Sequence, residues 1–388
     1  MLRALGRGLM ALMLLAGCVP EQTVETGGQC VPKPVFQAPP INVCADSERV
    51  RLTIVGDVLL HWPIQQTGYS RDFRHMWAQA APYLAWADLT IGNMEGPVAP
   101  GVDQSGRLVG DPGPVYGTGV YTGFPMFNYH PQILKELKAS GFDLMTTANN
   151  HAMDRGSLGA DLTLREMSKA GLSAVGTIRA GAARRFLVRR GTALGTVSFI
   201  ACSFSTNGNP DPKRQVLLCY DNRSELLSLV RQETADPGVA AVIVLPHWGQ
   251  EFSSTPDERQ VALARDLAAA GATAVVGTHP HAVQPFDLLN TGRGQVVPVI
   301  YSTGNFIAMQ TDMPARVGAM ALLEMCKTPD GKGLTVNRLG WIAEQMHFTK
   351  TRYWMEIAPA GATGDSGLPY RHLSKIAPGF SAQPQACR

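Results

Sequence analysis

The spacing of apolar residues divides the chain into strands and helices that alternate. Short apolar runs predict strands at 51–60, 87–92, 142–147, 172–177, 239–246, 272–277 and 296–302. Apolar positions with helical spacing predict helices at 73–86, 131–140, 158–170, 224–233 and 257–270. A hairpin is predicted over 186–203, and two later strands over 319–325 and 334–346, the second broken at Gly340. This alternation predicts an α/β fold, and the late hairpin-like strands indicate mixed sheets.

Polar motifs directly follow six of the apolar runs. Because ligands of open α/β sheets bind outside the carboxyl ends of the strands, we expect these motifs to share one rim. The side chains concerned are Asp57, Glu95, Asn150, His151, His247, His279, His281 and Asn305. Imidazoles and carboxylates without thiolates suit Mn²⁺, Fe²⁺ or Zn²⁺, and in an extended backbone His279 and His281 project to the same side. The recurrence of these residue types after strands predicts a metal site.

Each motif also has a purely structural interpretation. These interpretations are a turn at Asp57, a solvated loop carboxylate at Glu95, a turn or helix cap at Asn149, satisfied buried histidines at His151 and His247, and packing or capping by Trp248 and Asn305. No single motif decides between metal binding and structure. The metal site is favoured because all of the motifs recur at the same position relative to their strands.

The ordered motifs GDVLLH, GNMEG, ANNHAMDRG, PHWGQEF, GTHPHAVQP and YSTGNF resemble those of the bacterial capsule-synthesis, CapA-type (poly-γ-glutamate) family. The resemblance covers about residues 51–306, and that family in turn resembles calcineurin-like metallophosphoesterases. It implies a four-layer α-β-β-α sandwich with two central mixed sheets. It also implies a cofactor of two divalent metal ions, Mn, Fe or Zn.

The resemblance assigns roles by position along the motifs. Asp57 matches a first-motif metal ligand, Glu95 the residue that bridges two metals, and Asn150 an amide ligand. His151 matches the proton donor, and the later metal ligands correspond to His247, His279 and His281. The chain departs from the phosphoesterase pattern where Leu59 replaces a histidine of the first motif. His61, two residues further on, is a possible substitute.

The function expected from this resemblance is a metal-dependent hydrolase of the cell envelope, phosphoesterase-like, in capsule or poly-γ-glutamate synthesis or processing. Its partners would be an anionic envelope polymer or phosphoester substrate and capsule-synthesis proteins. Arg155 is assigned a catalytic role, gripping a phosphate or carboxylate, unless it is a surface residue paired with Asp154 or Asp161. The alternative is a non-catalytic, metal-containing protein that binds polymer or assists capsule assembly. Leu59 favours this alternative, whereas the intact Asn150–His151 pair favours the enzyme.

A thiol or serine hydrolase is less well supported. Cys202 has an obvious disulfide partner in Cys219, and Ser302 does not lie in a Gly-x-Ser-x-Gly motif.

The amino-terminal residues predict export and lipid anchoring. Residues 1–17 have the charge and apolar run of a signal peptide, and Leu15 to Cys18 resemble a lipobox, so Cys18 is the predicted lipidation site. Residue 19 is not Asp, which favours the outer membrane, facing the periplasm. Residues 18–48 are predicted to be a tether, 49–358 the CapA-type domain, and 359–388 an irregular tail.

Charge and cysteine content restrict the possibilities further. A net charge of +3 with no dense Lys/Arg cluster argues against nucleic-acid binding. Lipidation of Cys18 would leave six cysteines, which allow fifteen pairings. The simplest set pairs Cys30 with Cys44, Cys202 with Cys219, and Cys326 with Cys387. None of them lies in a CxxC or other zinc-like spacing, which argues against a zinc site built from thiolates.

Overall fold

The computed structural model describes residues 34–384, apart from 293, 351, 359–363, 365 and 366. The predicted signal peptide, the lipidation site Cys18, the first part of the tether, Cys30 and Cys387 lie outside the described residues. In the described part of the chain, none of the helices has both the length and the apolar content needed to cross a bilayer.

The secondary structure alternates as expected for an α/β chain. The strands are β1 (Pro34–Phe36), β2 (Val50–Val58), β3 (Leu89–Met94), β4 (Leu144–Thr146), β5 (Ser173–Val175), β6 (Leu187–Thr192), β7 (Gly195–Ser203), β8 (Ala241–His247), β9 (Ala274–Val276), β10 (Phe286–Asn290), β11 (Val296–Ile300), β12 (Asn305–Ile307), β13 (Val317–Lys327), β14 (Leu334–Phe348), β15 (Tyr353–Ala358) and β16 (Ala382–Pro384). The helices are α1 (Trp62–Ser70), α2 (Ala81–Trp86), α3 (Gln132–Ala139), α4 (Gly156–Lys169), α5 (Arg223–Ala235), α6 (Glu258–Ala270), α7 (Met313–Arg316) and α8 (Leu368–Ile376), with a 3₁₀ helix at Arg74–Ala80.

Two large sheets form the centre of the molecule, and both are mixed. The eight-stranded sheet has the order β15-β14-β13-β2-β3-β4-β5, with β12 paired to β2. Its strands β2 to β5 and β12 run parallel, whereas β13, β14 and β15 are antiparallel. The six-stranded sheet has the order β10-β11-β9-β8-β7-β6, with antiparallel strands only at its two edges. The predicted mixed sheets are confirmed.

Three apolar cores separate four layers. The core between the sheets contains Ile54 from β2 and Ile243 from β8, together with the other inward side chains of both sheets. On the outer face of the larger sheet, Leu322 shares a core with the apolar side chains of α2 and α3. On the outer face of the smaller sheet, Val244 shares a core with α5 and α6. The layers therefore follow the α-β-β-α order that the resemblance implied.

Some element predictions were wrong in detail. The single helix predicted over 73–86 is a 3₁₀ helix followed by α2, with a break at Trp77. The helix α1 and the strands β10 and β12 were not predicted. Strand β14 runs through Gly340 without a break. A Cβ atom at Gly340 would lie 2.8 Å from the ring of Phe36, so glycine leaves room for β1 to cross the sheet.

The described parts of the tether and tail are ordered, which corrects both predictions. Strands β1 and β16 form a two-stranded sheet, and α8 lies within the segment expected to be irregular. Phe36 packs against Trp86, and Leu373 of α8 is fully buried in the core between the sheets. These contacts hold both segments in place, although their proline and glycine content predicted irregular structure. The folded unit therefore begins before residue 49.

Two disulfides lie within the described residues. One joins Cys202 to Cys219, as predicted, and the other joins Cys44 to Cys326. The predicted pairs Cys30–Cys44 and Cys326–Cys387 are therefore wrong. Cys44 reaches Cys326 because the amino-terminal segment runs beside the end of β13, where the Ala45 amide donates to the Lys327 carbonyl at 3.0 Å.

Candidate metal centre

The predicted site residues converge at the carboxyl ends of the parallel strands. Asp57 lies near the end of β2, Glu95 directly follows β3, and His247 is the last residue of β8. The loop after β4 carries Asn150 and His151, and the loop after β9 carries His279 and His281. All of these side chains are buried. The expectation that they share one rim is confirmed.

Asp57, Glu95 and His281 form the first group of potential metal ligands. One ligand atom from each lies within 4.8 Å of the others. The Nδ1 atom of His281 lies 3.1 Å from Asp57 Oδ2, and its Nε2 atom lies 3.7 Å from Glu95 Oε1. Asn305 supports this histidine, with its Oδ1 atom 3.0 Å from His281 Nδ1.

Glu95, His247 and His279 form a second group within the same 4.8 Å limit. The Nε2 atom of His247 lies 3.6 Å from Glu95 Oε1 and 2.9 Å from Asn150 Oδ1. The imidazoles of His247 and His279 lie 4.8 Å apart between ring centroids. Glu95 thus belongs to both groups, which is the position that a bridging ligand requires.

Glu95 provides the test of whether a cation fits here. Its side chain is fully buried, and neither carboxylate oxygen has a hydrogen-bond partner among the described residues. A buried charge without a partner is costly. The Nδ1 atom of His279 is likewise buried without a partner. Orphaned carboxylate and imidazole atoms that face one another fit a divalent metal of the Mn, Fe or Zn class.

The backbone holds Glu95 in this position. The Tyr129 hydroxyl donates to the Glu95 carbonyl at 2.5 Å, and the Glu95 amide donates to the Val58 carbonyl at 3.2 Å. Gly96, at a φ of 135°, closes the turn, and a Cβ atom there would lie 2.8 Å from the Tyr129 ring. Glycine is therefore required beside the carboxylate.

The electrostatics of the protein alone are those of a site prepared for a cation. Burial and the neighbouring Asp57 raise the pKa of Glu95 well above its usual range. Burial and the adjacent histidines lower the pKa of His247 and His279. Burial alone would lower the pKa of His281, but Glu95 and Asp57 together raise it to about 9. Neutral imidazoles at His247 and His279 are the form that binds metals.

The His279–Pro280–His281 segment is a turn and not the extended backbone assumed from the sequence. His279 has a φ of 99° and His281 a φ of 55°. Such conformations are rare for residues with a side chain and cluster at functional sites. The His279 amide donates to Asp57 Oδ2 at 3.4 Å. The turn therefore directs both imidazoles and one amide towards Asp57 and Glu95.

The sequence did not identify Asn93 as part of the site. Its amide nitrogen donates to Asp57 Oδ1 at 2.8 Å and lies 3.2 Å from His247 Nδ1, while Thr146 donates to its oxygen at 2.7 Å. Asn93 therefore connects the two groups of ligands. The sequence did contain a signal for Asn93, because it lies in the motif GNMEG, two residues before the predicted ligand Glu95. Asn149 has a structural role and donates to the Met94 carbonyl at 2.7 Å.

His151 lies beside the cluster without joining either group of ligands. Its Nδ1 atom lies 2.8 Å from Asp154 Oδ2, and Asp154 is itself buried. The amide of Phe127 donates to Asp154 Oδ2 at 2.7 Å, and Asn209 donates to Oδ1 at 3.0 Å. Among the described residues, the Nε2 atom of His151 has no hydrogen-bond partner. Asp154 was missed as a partner of this histidine, although it lies three residues away in the sequence.

Arg155 does not have the predicted catalytic position. Its side chain is fully buried, and its guanidinium donates to the backbone carbonyls of Val102, Val120, Met126 and Asp154 and to the hydroxyl of Thr122. These acceptors occupy the guanidinium, so it cannot grip an anionic substrate. The surface ion pair suggested as the alternative is also absent within the described residues, because the guanidinium bonds to loop carbonyls.

Leu59 lies in the apolar core and leaves one metal-ligand position of the phosphoesterase pattern unfilled. His61 does not take its place. The Nδ1 atom of His61 accepts a hydrogen bond from the Met309 amide at 3.2 Å, and the His61 ring packs edge-to-face against Phe127. Burial lowers the pKa of His61 to about 4. This histidine is therefore part of the wall of the site.

The fold and the site together define the class of this protein. It is a four-layer α/β protein in which carboxylates and imidazoles from both sheets meet at the carboxyl ends of the parallel strands. The chain belongs to the family described as bacterial capsule synthesis protein PGA_cap, whose model matches residues 51–310.

Two curated relatives are similar to this chain over about two thirds to three quarters of its length. The capsule biosynthesis protein CapA of Bacillus anthracis is 29% identical over 285 residues, covering 68% of this chain and 60% of that protein. The PGA biosynthesis protein CapA of Bacillus subtilis is 25% identical over 302 residues, covering 76% of this chain and 73% of that protein. The chain thus spans three fifths of the first relative and about three quarters of the second.

Among solved structures, a novel phosphatase from Mycoplasma pneumoniae matches with a TM-score of 0.43 and 13% identity, covering 77% of this chain and 95% of the other. At this TM-score the match adds nothing to the family assignment, which rests on the sequence.

Proposed function

We propose that this protein is a metal-dependent hydrolase of phosphoesters in the cell envelope that acts in the synthesis or processing of capsule polymer. The observation that carries the proposal is the buried His151–Asp154 pair beside the Glu95 cluster. A purely structural metal site has no use for a histidine that is held by a carboxylate and kept out of the ligand set. An enzyme needs such a group as an acid or base.

The ligand set is the basis for the cofactor. Asp57, Glu95 and His281 would hold one divalent ion, and Glu95, Asn150, His247 and His279 a second. Bound metal of this kind lowers the pKa of water to near neutrality and polarises a phosphoryl oxygen. The two groups share Glu95, which favours two ions over one.

His151 performs the proton transfer in this proposal. Asp154 accepts a hydrogen bond from Nδ1, which fixes the orientation of the ring. The Nε2 atom would then give its proton to the leaving oxygen, while a hydroxide oxygen bonds to phosphorus and the bond from phosphorus to the leaving oxygen breaks. Asn209 and the Phe127 amide hold Asp154 in place during this step.

The cellular setting follows from the family and from the predicted export signal. The names of both Bacillus relatives refer to capsule or PGA biosynthesis. We extend this to the present chain as a role at the cell envelope, with a lipid at Cys18 as the anchor and the outer membrane as the site. Capsule-synthesis proteins and an anionic polymer are the corresponding partners.

A second function is favoured by a single observation. Leu59 occupies the place of a metal-binding histidine, so one ion would be held by fewer ligands. A site weakened in this way could bind carboxylates of a polymer without cleaving an ester. In that case the protein would assist capsule assembly as a non-catalytic component.

Turnover and metal content separate the two functions. The chain from residue 19 to residue 388 keeps β1 and Cys44, which a chain starting at residue 49 would lose. We expect it to bind Mn, Fe or Zn and to hydrolyse bis(p-nitrophenyl) phosphate or p-nitrophenyl phosphate. His151→Gln should lower turnover by roughly 10² to 10⁴-fold while metal content stays unchanged.

The exposed His75 offers a matched control, and His75→Gln should behave like the parent protein. Bound metal with no turnover on either ester would favour the polymer-binding function. Equal turnover in His151→Gln and the parent would remove His151 from the mechanism.

A further inference from the structure

A long loop, residues 97–130, connects β3 to α3 and lies against the metal centre. It begins directly after Glu95 and Gly96. The ring of Phe127 contacts His151, with 4.7 Å between the centroids. At the other side of the loop, Gly123 packs against the start of α1, where a Cβ atom would lie 3.3 Å from the Trp62 amide nitrogen. The loop and Trp62 therefore form one wall beside the metal centre.

The outer face of this wall is apolar and exposed to solvent. Eleven large apolar side chains are exposed within the described residues, and five of them belong to this wall: Trp62 (53%), Leu108 (68%), Val109 (59%), Val115 (51%) and Phe124 (78%). We call these five residues the apolar loop surface. Trp62 also packs against Tyr116, with 6.3 Å between ring centroids, which joins α1 to the loop. A concentration of exposed apolar side chains usually marks an interaction site.

The loop is also poor in charge. Residues 107–129 contain only Arg107 and Asp111 as charged residues, which is 2 of 23, whereas charged residues make up 17% of the chain. Both are already engaged. Asp111 accepts the Tyr121 hydroxyl at 2.7 Å, and Arg107 lies 3.5 Å from Asp103. Each of these two residues therefore has a partner within the loop, and both remain exposed at its surface.

Internal hydrogen bonds hold the loop in place. The Arg155 guanidinium binds its carbonyls from within, and the Asn128 side chain donates to the carbonyls of Ala99 and Val120. Gln65 of α1 donates to the Thr122 carbonyl at 2.8 Å. These buried anchors fix the backbone while the apolar side chains point outwards. The apolar side chains are therefore exposed on a loop whose backbone is fixed by buried hydrogen bonds.

We propose that the apolar loop surface docks onto a lipid bilayer and holds this side of the metal centre at the headgroups. Tryptophan, phenylalanine and leucine without charge suit the boundary between headgroups and acyl chains. The inference goes beyond the proposed hydrolase activity and draws support from the predicted anchor at Cys18.

The length of the segment before the described residues is compatible with this arrangement. Residues 19–33 would reach about 50 Å when fully extended. A compact domain of this size has a radius of gyration of about 20 Å. A lipid at Cys18 would therefore keep the domain close to the bilayer without dictating which face meets it. The apolar loop surface supplies that orientation.

Flotation with lipid vesicles tests the proposal without the anchor. The probe is the unlipidated chain from residue 19 to residue 388 with phosphatidylcholine vesicles. We expect the parent protein to float with the vesicles and to show quenching of tryptophan fluorescence by brominated lipid. Leu108→Ser combined with Phe124→Ser should weaken vesicle binding by at least about tenfold. Trp62→Phe should remove most of the quenching while flotation persists.

The matched control is Val43→Ser. Val43 is 74% exposed and lies beside Cys44, whose disulfide holds it near the amino-terminal end of β2, away from the site. This variant should float like the parent. The serine substitutions affect exposed side chains only, so an unchanged melting temperature verifies that the fold is intact.

Three results would overturn the proposal. These results are retention of the parent protein in the soluble fraction, flotation of the double variant like the parent, and dissociation by Phe124→Ser of a dimer that covers the loop. Because flotation requires neither metal nor turnover, each of these results would leave the hydrolase proposal standing.

Discussion

Two buried glutamates lack a hydrogen-bond partner within the described residues, and their surroundings give them different roles. Glu95 lies among imidazoles and Asp57, so a cation can neutralise its charge. Glu344 on β14 is also fully buried, next to Gly318 of β13, but no neighbouring charge shifts its pKa. Burial raises the pKa of Glu344 well above its usual range. Glu344 therefore holds its proton to a higher pH in the folded chain than an exposed glutamate does.

A raised pKa in the folded state makes stability fall as pH rises. Above the pKa of the unfolded chain, the folded state holds a proton that the unfolded state has lost. The free energy of unfolding should then decrease by up to about 1.4 kcal/mol per pH unit until the folded pKa is reached. Glu344→Gln should make this slope shallower in denaturant titrations that start at about pH 5, above the ordinary carboxyl pKa of about 4.3. Glu324→Gln on β13 should keep it, and an unchanged slope in Glu344→Gln would contradict the assignment.

Arg155 is predicted to act on the loop and not on a substrate. Arg155→Met removes hydrogen bonds to several buried carbonyls, so we expect a loss of roughly 2 to 4 kcal/mol in the free energy of unfolding. Arg107→Met, in the same loop but exposed, should cost less than about 0.5 kcal/mol. Chemical denaturation of both variants measures the difference. Unchanged stability with a raised KM in Arg155→Met would restore the role in substrate binding.

At the scale of elements, the apolar strands were easy to read because both faces of the central sheets are covered. Strand β8 is buried throughout, and the prediction placed it correctly. The polar motifs of the site were found because each directly follows one of these apolar strands. The His279–Pro280–His281 turn was not, because its positive φ angles depend on contacts with Asp57 that the local sequence does not contain.

Gly340 illustrates a local pattern overruled by packing. Read alone, it breaks a strand, but β1 and β16 cross directly above it. Gly340→Val would push against Phe36 and Ala382, so we expect a loss of roughly 1 to 3 kcal/mol in stability. A Cβ atom at Gly191 of β6 would meet nothing within 4 Å, which makes Gly191→Val the control. Similar melting temperatures for the two variants would show that β1 is not held there.

At the scale of the whole molecule, the order of the layers and the shared rim of the site could be predicted. The ordered structure of the segments near the two ends of the described chain could not. Composition suggested an irregular tether and tail, since contacts between residues more than 300 positions apart cannot be read from local spacing. The β1–β16 pair is one such contact. The Cys44–Cys326 disulfide is another long-range link, and fifteen pairings were open.

The two disulfides should differ in what they contribute. Cys44 and Cys326 are 282 residues apart, and Cys202 and Cys219 only 17. On the chain-entropy model, removing the longer link should cost about 5 to 6 kcal/mol and the shorter about 3 kcal/mol. Urea denaturation of the paired Cys→Ser variants compares them. A larger loss for the shorter link would indicate that β1 and its neighbours hold without the disulfide.

Metal analysis of the purified chain tests the central claim most directly. We predict that the protein from residue 19 to residue 388, supplied with Mn²⁺, Fe²⁺ or Zn²⁺ and desalted, retains metal by mass spectrometry. Glu95→Gln should lose most of it, whereas Glu258→Gln on the exposed start of α6 should retain it. Equal metal content in Glu95→Gln and the parent, or none in the parent, would contradict a metal centre built around Glu95.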